Sequence, residues 1–406
     1  MTMKMMRDAN ASLADRAARA PLPAAVDIAI VGGGIMGLAI AYNLARAGLN
    51  RVAVLESSYL ASGASGRNGG GLRQQWSTEM NIRLMQESMS ICESFAADMG
   101  VNIWMRRGGY LFLIRTEATR AQVERNIALQ NRCDVPTQMI TPDEATRLVP
   151  DLDTSHFIAA SYNPTDGVVF PWPFLWGYAQ AATKLGVSVH TQTPVTAIER
   201  AGGGATGDFV LHTPRGTLTA GRVLNASGAW SPKVAALLGV SLPNWPARHE
   251  ILSTEPLKPF LTPMVSVLES GLYFSQSLRG ELVGGITHHE PKTTEIRMGS
   301  SLKFLELIST ALLEVMPRLG NIKVVRQWAG PYDITSDGNP IVGEVPGVPG
   351  FFVCCGFMGH GFMMAPVVAR HYALHLLGKE THPLFHNWRL ARFAEGDTER
   401  ESMIIG

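Results

Sequence analysis

Asp27-Ile28-Ala29-Ile30-Val31-Gly32-Gly33-Gly34-Ile35-Met36-Gly37 is the stretch on which the fold turns. Residues 27–31 are short, apolar and β-branched, and read as a buried strand. Gly32, Gly34 and Gly37 then fall at G-x-G-x-x-G spacing. Gly32 permits a tight turn, Gly34 lets a pyrophosphate approach the backbone, and Gly37 lets the next helix pack close to the strand. That helix is expected from Ile35 to Ala47 and closed by Gly48. Ile35 and Met36 open it, presenting unpaired N–H groups and a positive dipole end to phosphates. Arg51–Leu55 reads as a second buried strand. Glu56 follows it, 22 residues after Gly34, where an acid accepts hydrogen bonds from a ribose. Strand, loop, helix, strand and acid in this order make a βαβ dinucleotide unit. The carboxylate disfavours a 2′-phosphate and hence NADP, while NAD and FAD fit equally.

A second glycine-rich loop, Gly356-Phe357-Met358-Gly359-His360-Gly361-Phe362, stands near the other end of the sequence. Between the two lies a chain with the makings of a large core: 406 residues, 46% hydrophobic and 17% charged. A formal net charge of +1 gives no basic surface for nucleic acid or anionic lipid. The 4 cysteines, Cys92, Cys133, Cys354 and Cys355, form no C-x-x-C pair, so no iron–sulfur or zinc site is expected. Few cysteines and no signal-type apolar run point to the cytoplasm, with peripheral membrane attachment left open. No segment has the uninterrupted apolar length of a transmembrane helix. Residues 1–25 read as a flexible extension.

Along the chain, Thr78–Met99 reads as an amphipathic helix with Met85, Met89, Cys92, Ala96 and Met99 on one face, Thr78 as N-cap and Gly100 as C-cap. Tyr110–Ile114 reads as a strand, and Thr141-Pro142-Asp143-Glu144 as a helix start. A helix is expected over 176–185 and short strands over 187–190, 193–200, 209–213 and 218–224. The last runs into Asn225-Ala226-Ser227-Gly228-Ala229-Trp230-Ser231, a small-residue turn that is either a second approach to the cofactor or an ordinary strand–helix turn. Strands near 250–253, 272–276 and 281–286, then a helix over 301–316, suggest an antiparallel sheet with helices on one side. Pro366–Leu377 reads as a closing helix with Pro366 near its first position.

Three longer patterns carry a resemblance: Arg67–Trp76 (RNGGGLRQQW), Trp328–Gly343 (WAGPYDITSDGNPIVG) and Gly356–Pro366 (GFMGHGFMMAP). With them the chain resembles the D-amino-acid-oxidase-like family of FAD enzymes over about residues 26–395. It is most similar to the β subunits of heteromeric proline dehydrogenases and heterotetrameric sarcosine oxidases. The resemblance selects FAD over NAD. It implies a mixed α/β fold, with a Rossmann-like FAD-binding domain (26–84, 150–240 and 326–395) interleaved with an antiparallel-sheet substrate domain (85–149 and 241–325), and a tail over 396–406. It extends the expected cofactor contacts to Ser65, Arg67, Asn68, Gly70, Gly71, Leu72, Val195, Ser227, Gly228, Trp230 and Gly330. At the isoalloxazine end it adds Gly356, Met358, Gly359, His360, Gly361, Phe362 and Met363.

The family oxidises a C–N bond, the uncharged amine delivering a hydride equivalent to the flavin N5. The protein then mainly positions substrate and tunes charge, and an added base is not required. For that reason neither His249 nor His360 is singled out as one. Arg73 matches an arginine that binds the substrate carboxylate in sarcosine oxidases, a task suited to a guanidinium. Tyr273 and Tyr332 are candidate pocket hydroxyls or pocket walls. Two anchors of relatives are absent: Tyr332 replaces an arginine of glycine oxidase-like members, and Met363 a lysine of monomeric sarcosine oxidases. The positions matching flavin-attachment residues of relatives, near Gly330, Arg67 and Phe170-Pro171, hold no cysteine or histidine, so FAD is expected to be non-covalent. Gly280–Gly285 lacks the lysine that helps oxygen accept electrons, which favours a dehydrogenase. The resemblance also implies a partner subunit for electron transfer, and FMN or an iron–sulfur cluster only through such a partner. Three readings stand at this stage. The first is a dehydrogenase of a secondary-amine amino acid (proline, hydroxyproline, sarcosine or an opine) acting as a catalytic β subunit. The second is a stand-alone oxidase releasing hydrogen peroxide, and the third a flavin-holding relay or scaffold subunit. No metal site is expected.

Overall fold

In the computed structural model, residues 17, 18, 20–203, 207–288 and 291–404 are described. The glycine-marked unit forms as its sequence dictates: strand β1 (Ala25–Val31), helix α1 (Ile35–Arg46) and strand β2 (Val52–Leu55). β1 and β2 pair in parallel, Ile28 opposite Val52 and Val31 opposite Leu55. They sit in an eight-stranded sheet with Ser188–His190 beyond β2 and Gly216–Asn225 on the other side of β1. The long strand Gly216–Asn225 is shared along its outer edge. Its first half pairs with the meander strand Phe209–Thr213, and its second half with Phe351–Cys355, which brings the second glycine loop beside the first. Both faces of this sheet are covered. Helices Ile35–Arg46, Glu79–Met99, Pro171–Lys184 and Gly361–Leu376 pack over one face, which explains the unbroken apolar runs in its parallel strands.

A second eight-stranded sheet runs in the order 324–334, 245–256, 281–285, 272–276, 264–267, 110–114, 159–163, 138–140. All neighbours are antiparallel except Met264–Val267 against Tyr110–Ile114. Alternation along the strands divides its faces. Leu111, Leu252, Val265, Leu272 and Phe274 turn toward helix Leu302–Val315 and its Phe304, Ile308 and Leu312. The opposite face is left for the cavity described below.

Several expectations are corrected. The sheets do not divide at residues 150 and 326, because Ala159–Asn163 and Val324–Ile334 both pair into the second sheet. Strand partners are non-local, so no sequence window reveals them. The closing helix begins at Gly361, not Pro366. Gly361 lets the chain turn tightly over Phe357, where a Cβ would come 2.9 Å from the Phe357 Cβ. Pro366 is therefore inside the helix, as its sixth residue, and leaves the Phe362 carbonyl without an i+4 amide donor. The expected helix over 176–185 starts earlier, at Pro171, with proline in its first turn. On helix Glu79–Met99, Phe95 rather than Ala96 continues the buried stripe, as a 3.6-residue period allows. Thr78 caps that helix and Gly100 ends it in the left-handed conformation.

The two ends of the chain are also more engaged than an extension and a tail. Ala17 is buried, and its carbonyl accepts from Thr191 N–H. Arg215 donates to the carbonyls of Ala17 and Ala20. Residues 1–16 and 19 of the expected extension lie outside the described residues. At the other end, Glu401 and Met403 are buried. Among the described residues no helix is long and apolar enough to cross a membrane, and no group of His, Cys, Asp and Glu is placed to hold a metal.

Candidate active site

One cavity of about 640 Å³ runs from the end of β1 to the free face of the second sheet, within the size range of small-molecule and cofactor sites. At its first end the three glycines do separate jobs. Gly32 has φ +115°, and a Cβ there would lie 2.5 Å from the Ala226 carbonyl oxygen. A Cβ on Gly37 would lie 2.1 Å from the Gly32 carbonyl oxygen, so α1 meets β1 at backbone distance. Gly34 is the N-cap of α1 and has no side chain to cap it, leaving the helix N-terminus open. The Ser65 hydroxyl accepts from Ile35 N–H at 3.1 Å. Glu56 is buried at the end of β2; its carboxylate accepts from Gly33 N–H and Ser58 N–H, each at 2.8 Å. The Ser57 and Ser62 hydroxyls also donate to it, at 3.3 and 3.2 Å, and these longer bonds from rotatable hydroxyls are the ones a diol would replace.

The middle of the cavity is shaped by the loop after β2. The Asn68 side chain bridges Ser65 O and Gly70 N–H. The Arg67 guanidinium donates to Ser62 O, Ala329 O and the Tyr59 hydroxyl. Ser227, Gly228, Trp230 and Val195 line the opposite wall.

The far end is built by the second sheet. Tyr110, His249, Ile251, Met264, Ser266, Tyr273, Gly330 and Tyr332 all project from its free face into the cavity. Register explains how they meet. Gly285 lies between Ile251 on one neighbouring strand and Tyr273 on the other. Without a side chain at Gly285, His249 and Tyr273 close over it, His249 Nε2 standing 2.9 Å from the Tyr273 hydroxyl. A Cβ at Gly285 would approach both to 2.8 Å. Tyr332 pairs opposite Ala247, which makes it the diagonal neighbour of His249. The two rings stack at 4.4 Å and 12°. Burial lowers the His249 pKa to about 4, so the imidazole is neutral at ordinary pH. Burial also raises the Tyr110, Tyr273 and Tyr332 hydroxyls, which stay protonated donors.

Arg73 is 1% exposed. Its Nη1 donates to Gln75 O, and its Nη2 donates to Met403 O and lies 3.1 Å from His360 Nε2. Its guanidinium lies 4.1 Å over the Trp76 ring. Burial depresses its pKa, with Tyr110, Glu401 and Asp166 acting the other way. Because a guanidinium only donates, His360 Nε2 must accept, which places the imidazole proton on Nδ1. Asp166 fixes the irregular segment that carries Arg73, accepting from Gln74 N–H at 2.7 Å and Gln75 Nε2 at 3.0 Å. Burial still raises that carboxyl to about 7.

Most residues expected at the site line this one cavity: Arg73, Tyr273 and Tyr332, and the cofactor contacts except Gly37, Leu72, Gly356 and Met358. Leu72 alternates into the core. Gly37 acts behind the cradle, through helix packing. Gly356 (φ +79°) donates its N–H to Asp333, and Met358 (φ +53°) turns its sulfur to Thr335 N–H. Both shape the second loop from outside. Gly359, which does line the cavity, owes its missing Cβ to protein packing, because a Cβ there would lie 2.3 Å from the Tyr332 ring. Tyr110, His249, Met264 and Ser266 were not singled out by sequence. Their signal is strand parity, which becomes legible only once the pairing with Tyr273 is known.

The chain matches the family of FAD dependent oxidoreductases (DAO) over residues 27–374. It belongs to that family. The sarcosine oxidase subunit beta of Rhodobacter capsulatus is 30% identical over 94% of this chain and 91% of its own length. Glycine oxidase of Geobacillus kaustophilus is 30% identical over 87% of this chain and 94% of its own. The crystal structure of L-proline dehydrogenase from P. horikoshii is 33% identical with a TM-score of 0.87, covering 93% of this chain and 100% of that one. FAD is thus the cofactor of this flavoprotein family, and the cavity fits it. The glycine cradle, helix N-terminus and Glu56 suit the nucleotide and phosphates, and the long middle section leads to a buried aromatic end.

Proposed function

We propose that this chain oxidises the CH–NH bond of a secondary-amine amino acid, of the proline, hydroxyproline, sarcosine or opine class, as a dehydrogenase. The observation that carries this reading is Arg73: a buried guanidinium at the aromatic end of the cavity, bonded to neutral acceptors and to no carboxylate among the described residues. Such a charge calls for an anionic ligand. Bound FAD supplies the hydride acceptor. Gly32, Gly34, Ile35, Met36, Glu56, Ser65, Arg67, Asn68, Gly70, Gly71 and the 227–230 turn would hold it. Arg73 binds the substrate carboxylate, and Tyr273, Tyr332 and His249 wall the amine end and exclude water. The relatives named for sarcosine, glycine and proline support an amino acid with a small side chain. Anaerobic bleaching of the bound flavin tests the assignment. L-Proline, sarcosine or a related secondary amine is expected to bleach it; a panel in which none does would reject the proposal.

The substrate nitrogen must be uncharged to donate, so activity is expected to fall as pH drops below neutrality. His249 adds a stability effect. Between an unfolded pKa of about 6.5 and a folded value of about 4, only the unfolded chain holds the proton. Stability therefore falls as pH falls through that window, by up to about 1.4 kcal/mol per pH unit. Urea melts of wild type and His249→Gln at both ends of the window check this, and the variant is expected to lose part of the slope.

Non-covalent FAD is part of the same reading. The cavity-lining nucleophiles are occupied or quenched: Cys354 is a buried thiol with a raised pKa, His249 faces Tyr273, and His360 faces Arg73. Acid precipitation is expected to release all the flavin; a yellow pellet would contradict it. The four buried free cysteines suit a reducing, cytoplasmic setting. Electron transfer to a partner subunit is supported by the subunit names of the relatives and by Gly285, whose surroundings leave no room for a lysine. Dye reduction much faster than peroxide formation is the expected signature.

A further inference from the structure

The guanidinium of Arg73 is capped by its own chain. Residues 399–404 form neither helix nor strand, yet they are tied down firmly at one point. The Glu401 carboxylate accepts from Ser77 N–H at 3.1 Å, Asn81 Nδ2 at 2.8 Å, Thr78 Oγ1 at 3.3 Å and the Ser77 hydroxyl. Glu401 N–H also donates to Asp337 O. Beyond this anchor the bonds are fewer. Ser402 N–H donates to Ser77 Oγ at 2.9 Å, Met403 N–H to the Glu401 carboxylate at 2.9 Å, and the Met403 carbonyl accepts from Arg73 Nη2. The Met403 side chain packs with Tyr110 and Met264, both of which line the cavity.

We propose that residues 402–404 compete with the substrate carboxylate for Arg73, and that Glu401 is the pivot on which they swing away. This rests on Arg73 being the carboxylate anchor. The carbonyl offers Arg73 a dipole, whereas a carboxylate offers a full charge and a bonding geometry matched to the guanidinium fork. The exchange therefore favours a carboxylate, while an amine lacking one brings nothing to offset the lost contacts of residues 402–404. The segment thus acts as a specificity element: it keeps Arg73 bonded between turnovers and admits ligands by their charge. The swing breaks three hydrogen bonds, uncovers Tyr110 and Met264 and lifts Ile404 from the core it packs against, without disturbing either sheet.

The test uses the FAD-loaded protein, with pyrrole-2-carboxylate and pyrrole as probes that differ only in the carboxylate. Flavin absorbance reports binding, and amide hydrogen exchange reports residues 402–404. Pyrrole-2-carboxylate is expected to perturb the flavin and to speed exchange at Ser402, Met403 and Ile404, and pyrrole to do neither. Ser77→Ala removes the acceptor for Ser402 N–H without changing charge near Arg73; it also removes the hydroxyl donor to Glu401, which keeps Ser77 N–H, Thr78 Oγ1 and Asn81 Nδ2. It is expected to tighten pyrrole-2-carboxylate binding about two- to tenfold, the equivalent of one hydrogen bond. Binding with exchange unchanged or slowed, or a Ser77→Ala variant that binds more weakly, would make the segment a fixed wall and overturn the competition while leaving the anchor in place. No flavin perturbation by pyrrole-2-carboxylate in either protein would take down the anchor and the competition together.

Discussion

Arg73→Gln is expected to lower kcat/KM for a carboxylate-bearing substrate by about 10²–10³-fold, the cost of removing one partner of a buried charged pair. Arg73 also bonds Gln75, His360 and Met403, so a general loss of structure could imitate that result. The distinguishing measurement is a ratio. Wild type is expected to prefer L-proline strongly over pyrrolidine, and Arg73→Gln to lose most of that preference while keeping its flavin. Equal losses on both amines would show that Arg73 supports the fold and does not bind the carboxylate. Arg73→Lys separates charge from shape: a lysine keeps the charge but not the planar fork, so partial recovery is expected.

The second large effect is expected at the cradle. Gly37→Ala places a Cβ where the Gly32 carbonyl oxygen lies 2.1 Å away. Both atoms belong to rigid elements, α1 and the end of β1, so the helix must shift from the strand and its N-terminus at the cavity moves with it. The protein is expected to elute from gel filtration without visible flavin absorbance and with a lowered Tm. Gly48→Ala is the matched control. Gly48 has a positive φ, +102°, which Gly37 does not, and nothing lies within 4 Å of its missing Cβ. It should cost only the left-handed backbone penalty of about 1 kcal/mol and keep its FAD. Flavin retained at wild-type stoichiometry in Gly37→Ala would mean that close helix–strand packing is not what forms the cradle.

The two sites differ in how far sequence could reach them. The cradle is local. Its strand, glycines, helix and acid lie within 31 residues of one another, from Val26 to Glu56, and each glycine has a backbone reason that spacing alone expresses. The same holds for Thr78 as a cap and for the capping box at Thr141 and Glu144. The amine end is different. His249, Tyr273 and Tyr332 come from three strands, and Arg73 from a fourth segment. Gly285 has no motif around it, yet its lack of a side chain lets His249 and Tyr273 meet.

By itself the sequence determined the βαβ unit, its glycine turn, the acid at the end of β2 and, through its longer patterns, the FAD family. Those features depend on spacing along the chain and on backbone conformation, which neighbouring residues set. Only the tertiary structure decided which side chains face the reacting end. Strand register aligned Ile251, Gly285 and Tyr273, parity chose one face of the second sheet for the cavity, and the chain's last described residues returned to cap Arg73. Register and docking are contacts between residues far apart in sequence, and such contacts leave no periodic trace in any one segment.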